Sequence, residues 1–390
     1  MQGTKMVIVI GAGLVGAVLA VRLSQLGIKV KLLERGPFAK PTSKDGINDG
    51  RTIAATLGSK LFLEKCGLWD YLKPTAQRIN YIKAFEKGSA WTIDYDYKEL
   101  GDQPMGYIIE FDRLTDSLYE AVQNADLVEV VANCNLQKME AGEVTSQDHG
   151  VFKAPLIIGA DGRNSWVRGQ VNIKSKTKEY GHKALVAHFT HEKPHNATAW
   201  EVFQPTGPFA MLPMIDTADG ENQSGIVWCG PKDMNWEEMP DFEIEQKLTE
   251  IFPYYGDVKI CSKRWIFPLS SLTVDKIVAP RTILLGDAAH VLHPIAGQGV
   301  NLGWRDVADL VELLEHAKDT GQDYGSSHLL DRYCKKRKFD QHGLYFFTDG
   351  LTRLYGFDNS LVSFVRQAGL ATVNKISPLK KFFMKKAMGI

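Results

Sequence analysis

Residues 5–35 read KMVIVIGAGLVGAVLAVRLSQLGIKVKLLER, and this stretch decides the fold. Residues 5–10 form a largely apolar run rich in β-branched side chains, which is typical of a central strand in a parallel sheet. A run with helical apolar spacing follows and stops at Gly27, and a second strand-like run ends at residues 34–35. The order of strand, glycine-rich turn, helix and strand predicts a βαβ unit.

The turn between the first strand and the helix has the glycine spacing of a dinucleotide-binding site. Gly11 permits the tight turn, Gly13 lets a pyrophosphate approach the backbone, and Gly16 lets the helix pack closely. Glu34 lies where an acidic residue hydrogen-bonds a ribose, and Arg35 adjoins it, so we count both as cofactor-binding candidates. Glu34 alone could be a solvated strand end, but its place in the motif favours ribose binding.

A second informative stretch is RTILLGDAAHVLHPIAGQGVNLGWRDVADL, residues 281–310. An apolar strand leads to Gly286, which lets the chain leave the strand tightly. Asp287 then presents a carboxylate at the strand's carboxyl end, where open α/β sheets bind ligands. Gly297 and Gly299 remove Cβ atoms just before a predicted helix, so its free N–H groups can approach an anionic ligand. An ordinary strand–loop–helix connection is the weaker alternative.

A third stretch is LIIGADGRNSWVR, residues 156–168. Like the second stretch, it contains an apolar strand that is followed closely by an aspartate. Asp161 could be only a turn residue, because Asp-Gly is a common turn pair. Two such strand ends in one chain, beside a βαβ fingerprint, favour a shared cofactor.

Residues 37–50 are polar and turn-rich, which predicts a loop over the cofactor. Arg51 then opens a run, residues 51–72, that we interpret as one helix. A cation at a helix start is unfavourable unless a ligand compensates it, which favours contact with a phosphate or a flavin. A plain salt-bridge partner is the alternative for this arginine.

Residues 180–276 are rich in aromatic and β-branched side chains, which predicts a second, β-rich lobe suited to an apolar or aromatic substrate. Five aromatic residues of this lobe are each expected to pack in its core rather than to line a substrate pocket, although one or two could line it: Trp200, Phe203, Phe209, Trp228 and Trp265. We divide the chain into a discontinuous nucleotide-binding domain (1–75, 105–178 and 277–328), a substrate lobe (76–104 and 179–276) and a C-terminal helical region (329–390).

The composition is that of an ordinary globular protein of 390 residues, 44% hydrophobic and 24% charged, with no net charge. This balance argues against a nucleic-acid partner. Five scattered cysteines indicate free thiols in a reducing compartment, and we expect a cytoplasmic location. Residues 6–21 carry no charge but are too short to span a bilayer, so we predict neither a transmembrane segment nor a secretory signal.

Residues 378–390 predict a basic amphipathic helix. Leu379, Phe382, Phe383 and Ala387 share one helical face, and lysines lie largely opposite. Such a helix is typical of peripheral contact with a membrane surface, here the inner face. A terminal helix packed on the body of the protein, with solvated lysines, fits the same pattern.

The segments GAGLVG, GADGRNSWVR and GDAAHVLHPIAGQGVN occur in this order over nearly the whole chain, which resembles the FAD-dependent aromatic hydroxylases, the single-component flavoprotein monooxygenases. Residues 49–72, 293–310 and 348–389 resemble most the ubiquinone-biosynthesis hydroxylases, the UbiH/Coq group. The resemblance implies an α/β fold in which a Rossmann-like FAD-binding domain is interleaved with a β-sheet substrate lobe, followed by C-terminal helices.

The resemblance also implies roles for single residues. The three glycines of the first turn would hold the FAD pyrophosphate, Glu34 the ribose and Asp287 the ribityl chain, while Arg51 would lie near the flavin and its phosphates. The segment around Asp161 would serve both FAD and NAD(P)H. The isoalloxazine ring would be flanked by Pro294, Gly297, Gln298, Gly299 and Asn301. Two departures are Phe111, which weakens any claim for Arg113, and Trp304, which replaces a smaller apolar residue.

The implied reaction uses FAD, with NAD(P)H as a transient co-substrate, and O2 to hydroxylate a polyprenylated phenol or quinol. The partner would be a lipophilic aromatic small molecule, with a homo-oligomer or a complex of ubiquinone-biosynthesis proteins as further expectations. Two alternatives stay open: a hydroxylase of a soluble aromatic such as kynurenine or a hydroxybenzoate, and a catalytically silent flavin-binding assembly subunit. No residue pattern names a catalytic triad, and His290 and His293 lack the partners of a metal site.

Overall fold

The computed structural model describes residues 6–40, 49–89, 92–292, 297–338, 343 and 374–390. Pro294 and the predicted loop residues 41–48 therefore lie outside the described residues. The α-helices of the described part are Gly16–Gln25, Leu57–Lys65, Trp69–Leu72, Phe111–Gln123, Trp166–Gln170, Asp241–Ile251, Gln298–Asp319, 327–338 and Ser377–Met388.

The first sheet holds the predicted βαβ unit. Its strands lie in the order Val278–Ala279, Thr282–Leu284, Leu156–Gly159, Met6–Ile10, Lys29–Leu33 and Val128–Val131. All neighbours are parallel except the first pair, which forms an antiparallel hairpin. The residues of the central strand from Val7 to Val9 are completely buried, as the unbroken apolar run predicts. The α/β fold class is confirmed.

A second, large sheet carries the predicted substrate lobe. In spatial order its strands are His290–Val291, Trp265–Val274, Ser175–His191, Asn222–Pro231, Phe209–Pro213, Thr198–Phe203, Tyr81–Glu86 and Thr92–Asp96, and Val258–Ile260 also pairs with the third of these. One face, here called the outer face, is covered by the helix Asp241–Ile251, whose Ile244 and Leu248 are buried in a core with Phe209 and Trp228. The opposite, inner face packs against Leu57, Ile79 and Met105 and reaches Gly50.

Two small sheets complete the described strands. One contains Thr52–Thr56, Gly106–Glu110 and Ala76–Ile79, and the other contains Gly150–Lys153, Glu143–Ser146 and Leu136–Glu140. The predicted division into domains stays a prediction. The strand Ser175–His191 runs without a break across its boundary at residue 178.

The interpretation of residues 51–72 as one helix was wrong. Residues Thr52–Thr56 form a strand antiparallel to Gly106–Glu110, and the helix begins only at Leu57. Thr56 ends the strand in an extended conformation, and its side chain accepts a hydrogen bond from the Ser59 N–H at 3.2 Å. This N-cap fixes the helix start, so Arg51 lies at the start of a strand and not of a helix.

The C-terminal helix Ser377–Met388 packs on the body of the protein. Met384 and Met388 are 0% and 2% exposed and join an apolar cluster with Leu57 and Met105. Phe382 is 54% exposed. The apolar face predicted from the sequence therefore overlaps only in part with the face that packs on the protein. Among the described helices, none combines the length and the apolar character needed to cross a bilayer.

Candidate cofactor and active site

The glycine turn after Met6–Ile10 separates two kinds of glycine. Gly11 has a φ of +100°, and a Cβ there would lie 2.5 Å from the Ala160 carbonyl oxygen, while a Cβ on Gly16 would lie 1.9 Å from the Gly11 carbonyl oxygen. Packing within the protein therefore excludes any side chain at both positions. A Cβ on Gly13 would meet no protein atom within 4 Å. This position is open to solvent, which leaves room for a ligand to approach the backbone.

Glu34 is tied to the glycine turn. Its carboxylate accepts hydrogen bonds from the N–H groups of Ala12 at 2.8 Å and Gly36 at 2.9 Å. The carboxylate thus lies beside the turn that would hold a pyrophosphate, with lone pairs left for a further donor. Arg35 is exposed at the surface next to it. The ribose contact of Glu34 and the cofactor contact of Arg35 stay predictions.

Asp161 caps a helix. It accepts hydrogen bonds from the Ser165 hydroxyl at 2.6 Å and from the Val167 N–H at 3.0 Å. These bonds shape the turn into the helix Trp166–Gln170, and the contact of Asp161 with a cofactor stays a prediction. Arg168 in this helix donates a hydrogen bond to the Ala288 carbonyl at 3.0 Å. This bond joins the segment that contains Asp161 to the segment that contains Asp287.

Asp287 stands in a short 3-10 turn, Gly286–Ala288, after the strand Thr282–Leu284. Its side chain is accessible to solvent, yet the surrounding protein raises the pKa of its carboxyl by desolvation. His290, Arg51 and Arg163 oppose this increase by their charges. A carboxylate that is both accessible and partly desolvated lies in a recess, and such a group is a candidate for ligand binding.

A buried charge network lies behind this turn, and the sequence reasoning missed it. Asp306 is fully buried and accepts hydrogen bonds from the Gly286 N–H at 3.0 Å, from Arg337 Nε at 2.6 Å and from the His290 ring Nε2 at 2.7 Å. Burial alone would raise the pKa of Asp306, but His290, Arg337 and the Gly286 N–H together hold it below its usual range. An aspartate among the apolar positions of a predicted helix was the available signal.

The helix Gln298–Asp319 begins beside this turn. Gly297 is its N-cap residue, with a φ of +58°, and a Cβ there would lie 3.3 Å from the Cβ of Ala54. Among the described residues, none has an atom within 4 Å of a Cβ on Gly299, so these residues leave that side of the first helical turn open. Open N–H groups at a helix start attract negative charge. Gln298 is half-buried in the same turn.

Asn301 positions its neighbours. Its amide nitrogen donates to the carbonyls of Ala54 and Gly297, at 2.8 and 2.9 Å, and its oxygen accepts from the Thr56 N–H and the Ser59 hydroxyl, at 3.0 and 2.7 Å. All four hydrogen-bonding positions of the amide are thus used within the protein. Asn301 holds Gly297 against the strand Thr52–Thr56, and its direct contact with a flavin stays a prediction.

Arg51 connects the cofactor side to the large sheet. Its guanidinium pairs with Asp49 at 2.6 Å and lies over the rings of Phe111 and Phe267, at 4.3 and 5.3 Å from their centroids. The salt bridge of the alternative is therefore present and the argument from a helix start was wrong, while the contact of Arg51 with the flavin or its phosphates stays a prediction. Phe111, which departs from the expected polar residue, supplies one of the two aromatic faces under the guanidinium.

The comparisons with known proteins agree on one family. The model of the FAD binding domain family matches residues 4–342. The chain is 34% identical over 390 residues to the ubiquinone hydroxylase UbiL of Rhodospirillum rubrum, with 98% of this chain and 89% of that protein covered. The chain belongs to the FAD-dependent monooxygenase family. FAD is therefore the cofactor of this flavoprotein.

Two further relatives are similar over almost their whole length. The flavoprotein is 30% identical to the 3-demethoxyubiquinol 3-hydroxylase of Escherichia coli, with 100% of this chain and 99% of that protein covered. It is 31% identical to the human mitochondrial ubiquinone biosynthesis monooxygenase COQ6, with 97% and 91% covered. Its fold is similar to that of p-nitrophenol 4-monooxygenase PnpA from Pseudomonas putida, with a TM-score of 0.80, 17% identity and 98% of each chain covered.

The residues present in the flavoprotein fit FAD. A Cβ at Gly13 or at Gly299 would meet no described residue, and the carboxylate of Asp287 is accessible yet partly desolvated. Open backbone at two helix starts suits a pyrophosphate and an electron-rich ring. An accessible carboxylate suits the hydroxyls of a sugar-like chain.

The inner face of the large sheet bounds this site from the other side. Trp265 packs so closely on Gly50 that a Cβ there would lie 2.0 Å from its ring, and the His188 ring contacts the Gly50 carbonyl at 2.8 Å. Of the five aromatics weighed from the sequence, Phe203, Phe209 and Trp228 are buried, and Trp200 is half-buried against the outer core. Trp265 is half-exposed and on the inner face, so it is the aromatic that borders the site.

Proposed function

We propose that this monooxygenase uses FAD, NAD(P)H and O2 to hydroxylate the aromatic ring of a polyprenylated phenol or quinol on the route to ubiquinone. The names of three relatives that are 30–34% identical to the chain support this substrate class. The observation that carries the proposal is the position of Asp287, whose accessible carboxylate lies close to Arg51, and Arg51 contacts Phe267 of the large sheet. Cofactor residues and an apolar sheet face thus meet at one place.

The residues of the chain have separate tasks in this proposal. Gly13 and the start of the helix Gln298–Asp319 offer backbone N–H groups to anionic parts of the cofactor. The inner face of the large sheet binds the ring and excludes water from it. FAD, once bound and reduced by NAD(P)H, supplies the oxygen-transfer chemistry, and the protein supplies binding and orientation.

Deletion of the gene, followed by mass spectrometry of the quinone pool, tests the substrate. We expect loss of ubiquinone and accumulation of a prenylated precursor that lacks one hydroxyl group. Complementation with the wild-type gene should restore the pool, whereas Asp287→Ala should not, because that protein should purify with little FAD. An unchanged quinone pool in the deletion strain would contradict the proposal.

A soluble aromatic substrate is the competing proposal, and the purified enzyme separates the two. NAD(P)H oxidation and hydroxylated product should appear with a prenylated phenol and not with kynurenine or a hydroxybenzoate. Turnover of the soluble compounds at equal or higher kcat/KM would favour the competitor. Absence of turnover with every phenol, by a protein that carries FAD, would favour the silent assembly subunit.

We infer that the C-terminal helix contacts the membrane surface where such a substrate resides. Ile376, Phe382 and Ile390 are about half exposed, and Lys381, Lys385 and Lys386 are exposed on the same terminal segment. Exposed apolar side chains beside lysines suit the interface of an anionic bilayer. The inferred location is peripheral on the inner face of the membrane.

Sedimentation with vesicles tests this contact. Phe382→Ser should weaken binding to vesicles that contain anionic lipid without changing the melting temperature, because Phe382 is exposed. Met384→Ser is the matched control for packing, because Met384 is fully buried and its loss should destabilise the protein by about 2–5 kcal/mol. Equal vesicle binding by wild type and Phe382→Ser would contradict the inference.

Association with a second copy or with other proteins of the pathway stays a prediction, which light scattering of the purified protein would check.

A further inference from the structure

The acidic side chain of Glu201 projects from the inner face of the large sheet. Glu201 lies in the strand Thr198–Phe203 between Trp200 and Val202, which both pack toward the outer core. Because side chains alternate along a strand, Glu201 points to the inner face. Ala199, two residues earlier, packs there with Leu57 and so confirms the direction.

The strand register places Glu201 in a row of side chains that crosses the inner face. Directly paired positions on five neighbouring pairs of strands give the row Ala84, Glu201, Ala210, Val227, Val186 and Trp265. We call these residues the inner row. Apart from Glu201 its members are apolar, and the three between Glu201 and Trp265 are alanine or valine. Short side chains leave space above this part of the sheet.

The inner row ends at the cofactor side of the molecule. Trp265 contacts Gly50, and Phe267, on the same face of the same strand, lies under Arg51. Neighbouring strands are about 4.8 Å apart, so Glu201 and Val227, two strands away, are roughly 10 Å apart along the row. A benzene ring with one hydroxyl group is shorter than this distance.

The carboxylate of Glu201 has no stabilising partner in the described part of the chain. No described residue donates a hydrogen bond to it or forms an ion pair with it, although the side chain is only half-buried. Desolvation by its apolar surroundings raises the pKa of Glu201 to about 8. The titratable groups that share the inner face are Cys229, Glu86, Tyr95 and His188, and burial raises the pKa values of Cys229 and Tyr95 and lowers that of His188.

We propose that Glu201 binds a hydroxyl group of the aromatic substrate and accepts its proton during hydroxylation. This inference rests on the proposed function, because it requires a phenol or quinol as substrate. The O–H bond of the substrate breaks, its electron pair stays on the oxygen, and the proton moves to the Glu201 carboxylate. The ring then carries more electron density at the carbon that accepts the oxygen atom, while O2 and NAD(P)H supply that atom and the electrons as in the proposed reaction. The ring carbon that accepted the oxygen atom releases its proton to solvent when aromaticity returns, and Glu201 gives its proton back to the product oxygen.

The chemistry suits a glutamate in this environment. A phenol has a pKa near 10, so proton transfer to a carboxylate of ordinary pKa near 4.3 is strongly uphill. A carboxylate whose pKa lies near 8 reduces this gap to about 2 units and is closer to the pKa that general bases need at neutral pH. The deprotonated form is the active one, so the rate should increase as the pH rises through about 8.

The test compares Glu201→Gln with wild type and with Glu250→Gln in FAD-loaded enzyme. Glu250 is an exposed glutamate on the outer-face helix, so it controls for the change of side chain. With a prenylated phenol, Glu201→Gln should lower kcat by about 100-fold with a smaller change of KM. It should also remove the increase of kcat between pH 7 and pH 9. FAD content and melting temperature should stay at the wild-type values.

Substrate analogues separate proton transfer from packing. Methylation of the substrate hydroxyl should lower the wild-type rate as much as Glu201→Gln does, and it should have no further effect in the variant. A fluorinated phenol with a more acidic hydroxyl should recover most of the lost rate in the variant. If wild type and Glu201→Gln have the same kcat and the same pH profile, the role of Glu201 is refuted while the proposed function stands. If wild type hydroxylates no phenol, the proposed function itself has failed.

Discussion

On the first sheet, the glycines of the predicted cofactor turn follow Ile10 within six positions of the chain, whereas the inner row of the large sheet is assembled from six separate strands. The first site is made of backbone, and its shape depends on where a Cβ is absent. The second site is made of side chains, and its shape depends on which strands pair in which register. The cofactor site should therefore fail abruptly on substitution, while the substrate face should change by degrees.

The largest expected effect separates two glycines of the same turn. Gly16→Val should prevent stable folding, because even a Cβ there would lie 1.9 Å from the Gly11 carbonyl oxygen. Gly13→Ala should fold with an unchanged melting temperature without FAD, because its Cβ meets no protein atom. It should nevertheless bind FAD more weakly, which isothermal titration would measure. A stable Gly16→Val protein would show that the turn is less constrained than the backbone geometry indicates.

The next effect concerns the network that supports the cofactor turn. Asp306→Ala should reduce the free energy of unfolding by about 3–5 kcal/mol, because it leaves His290 buried without its carboxylate and removes one of the two carboxylates that pair with the buried Arg337. Urea denaturation would measure this loss. The folded-state pKa of Asp306 is below its unfolded value, so its stabilisation is present above pH 4 and is lost as the pH falls further. The variant should accordingly lose less stability than wild type between pH 4 and pH 2.

A smaller effect is expected on the substrate face. Ala210→Leu adds volume to the inner row next to Glu201, at a half-exposed position. We expect KM for a prenylated phenol to increase by about 10-fold, since three added carbon atoms exclude part of the ring, with unchanged FAD content. Steady-state kinetics would measure the change, and Lys83→Ala, on the outer face of the strand Tyr81–Glu86, is the control. An unchanged KM would place the substrate elsewhere.

The smallest effect tests the corrected start of the second helix. Thr56→Ala should reduce the free energy of unfolding by about 1 kcal/mol, because it removes the side-chain cap on the Ser59 N–H. Thermal unfolding would detect this loss. Thr75 ends a 3-10 turn and caps no α-helix, so Thr75→Ala should reduce the free energy of unfolding by less. A larger loss at Thr75 would contradict the assignment of the cap.

The sequence predicted the parts of the site that local rules determine. The glycine turn, the two strand-end aspartates and the helix after Gly297 all follow from spacing along a short stretch. Residues 51–56 were misassigned because Thr52–Thr56 is a strand only by pairing with Gly106–Glu110, which lies about fifty residues further on. The Asp306 network joins residues from three segments that no local pattern connects. Glu201 was not singled out because a glutamate in an alternating strand looks solvated until the register of its neighbours is known.

The strand Thr282–Leu284 has a consequence for how the protein is made. It pairs directly with Leu156–Gly159, so the first sheet cannot be completed until more than 280 residues have left the ribosome. The large sheet, in contrast, has most of its strands available earlier in synthesis. Domains generally form as their strands emerge, so the nascent chain can assemble much of the substrate lobe while the nucleotide-binding sheet still lacks an edge. Flavin incorporation is then a late, nearly post-translational event, and nascent chains stalled before residue 282 should be unable to retain FAD.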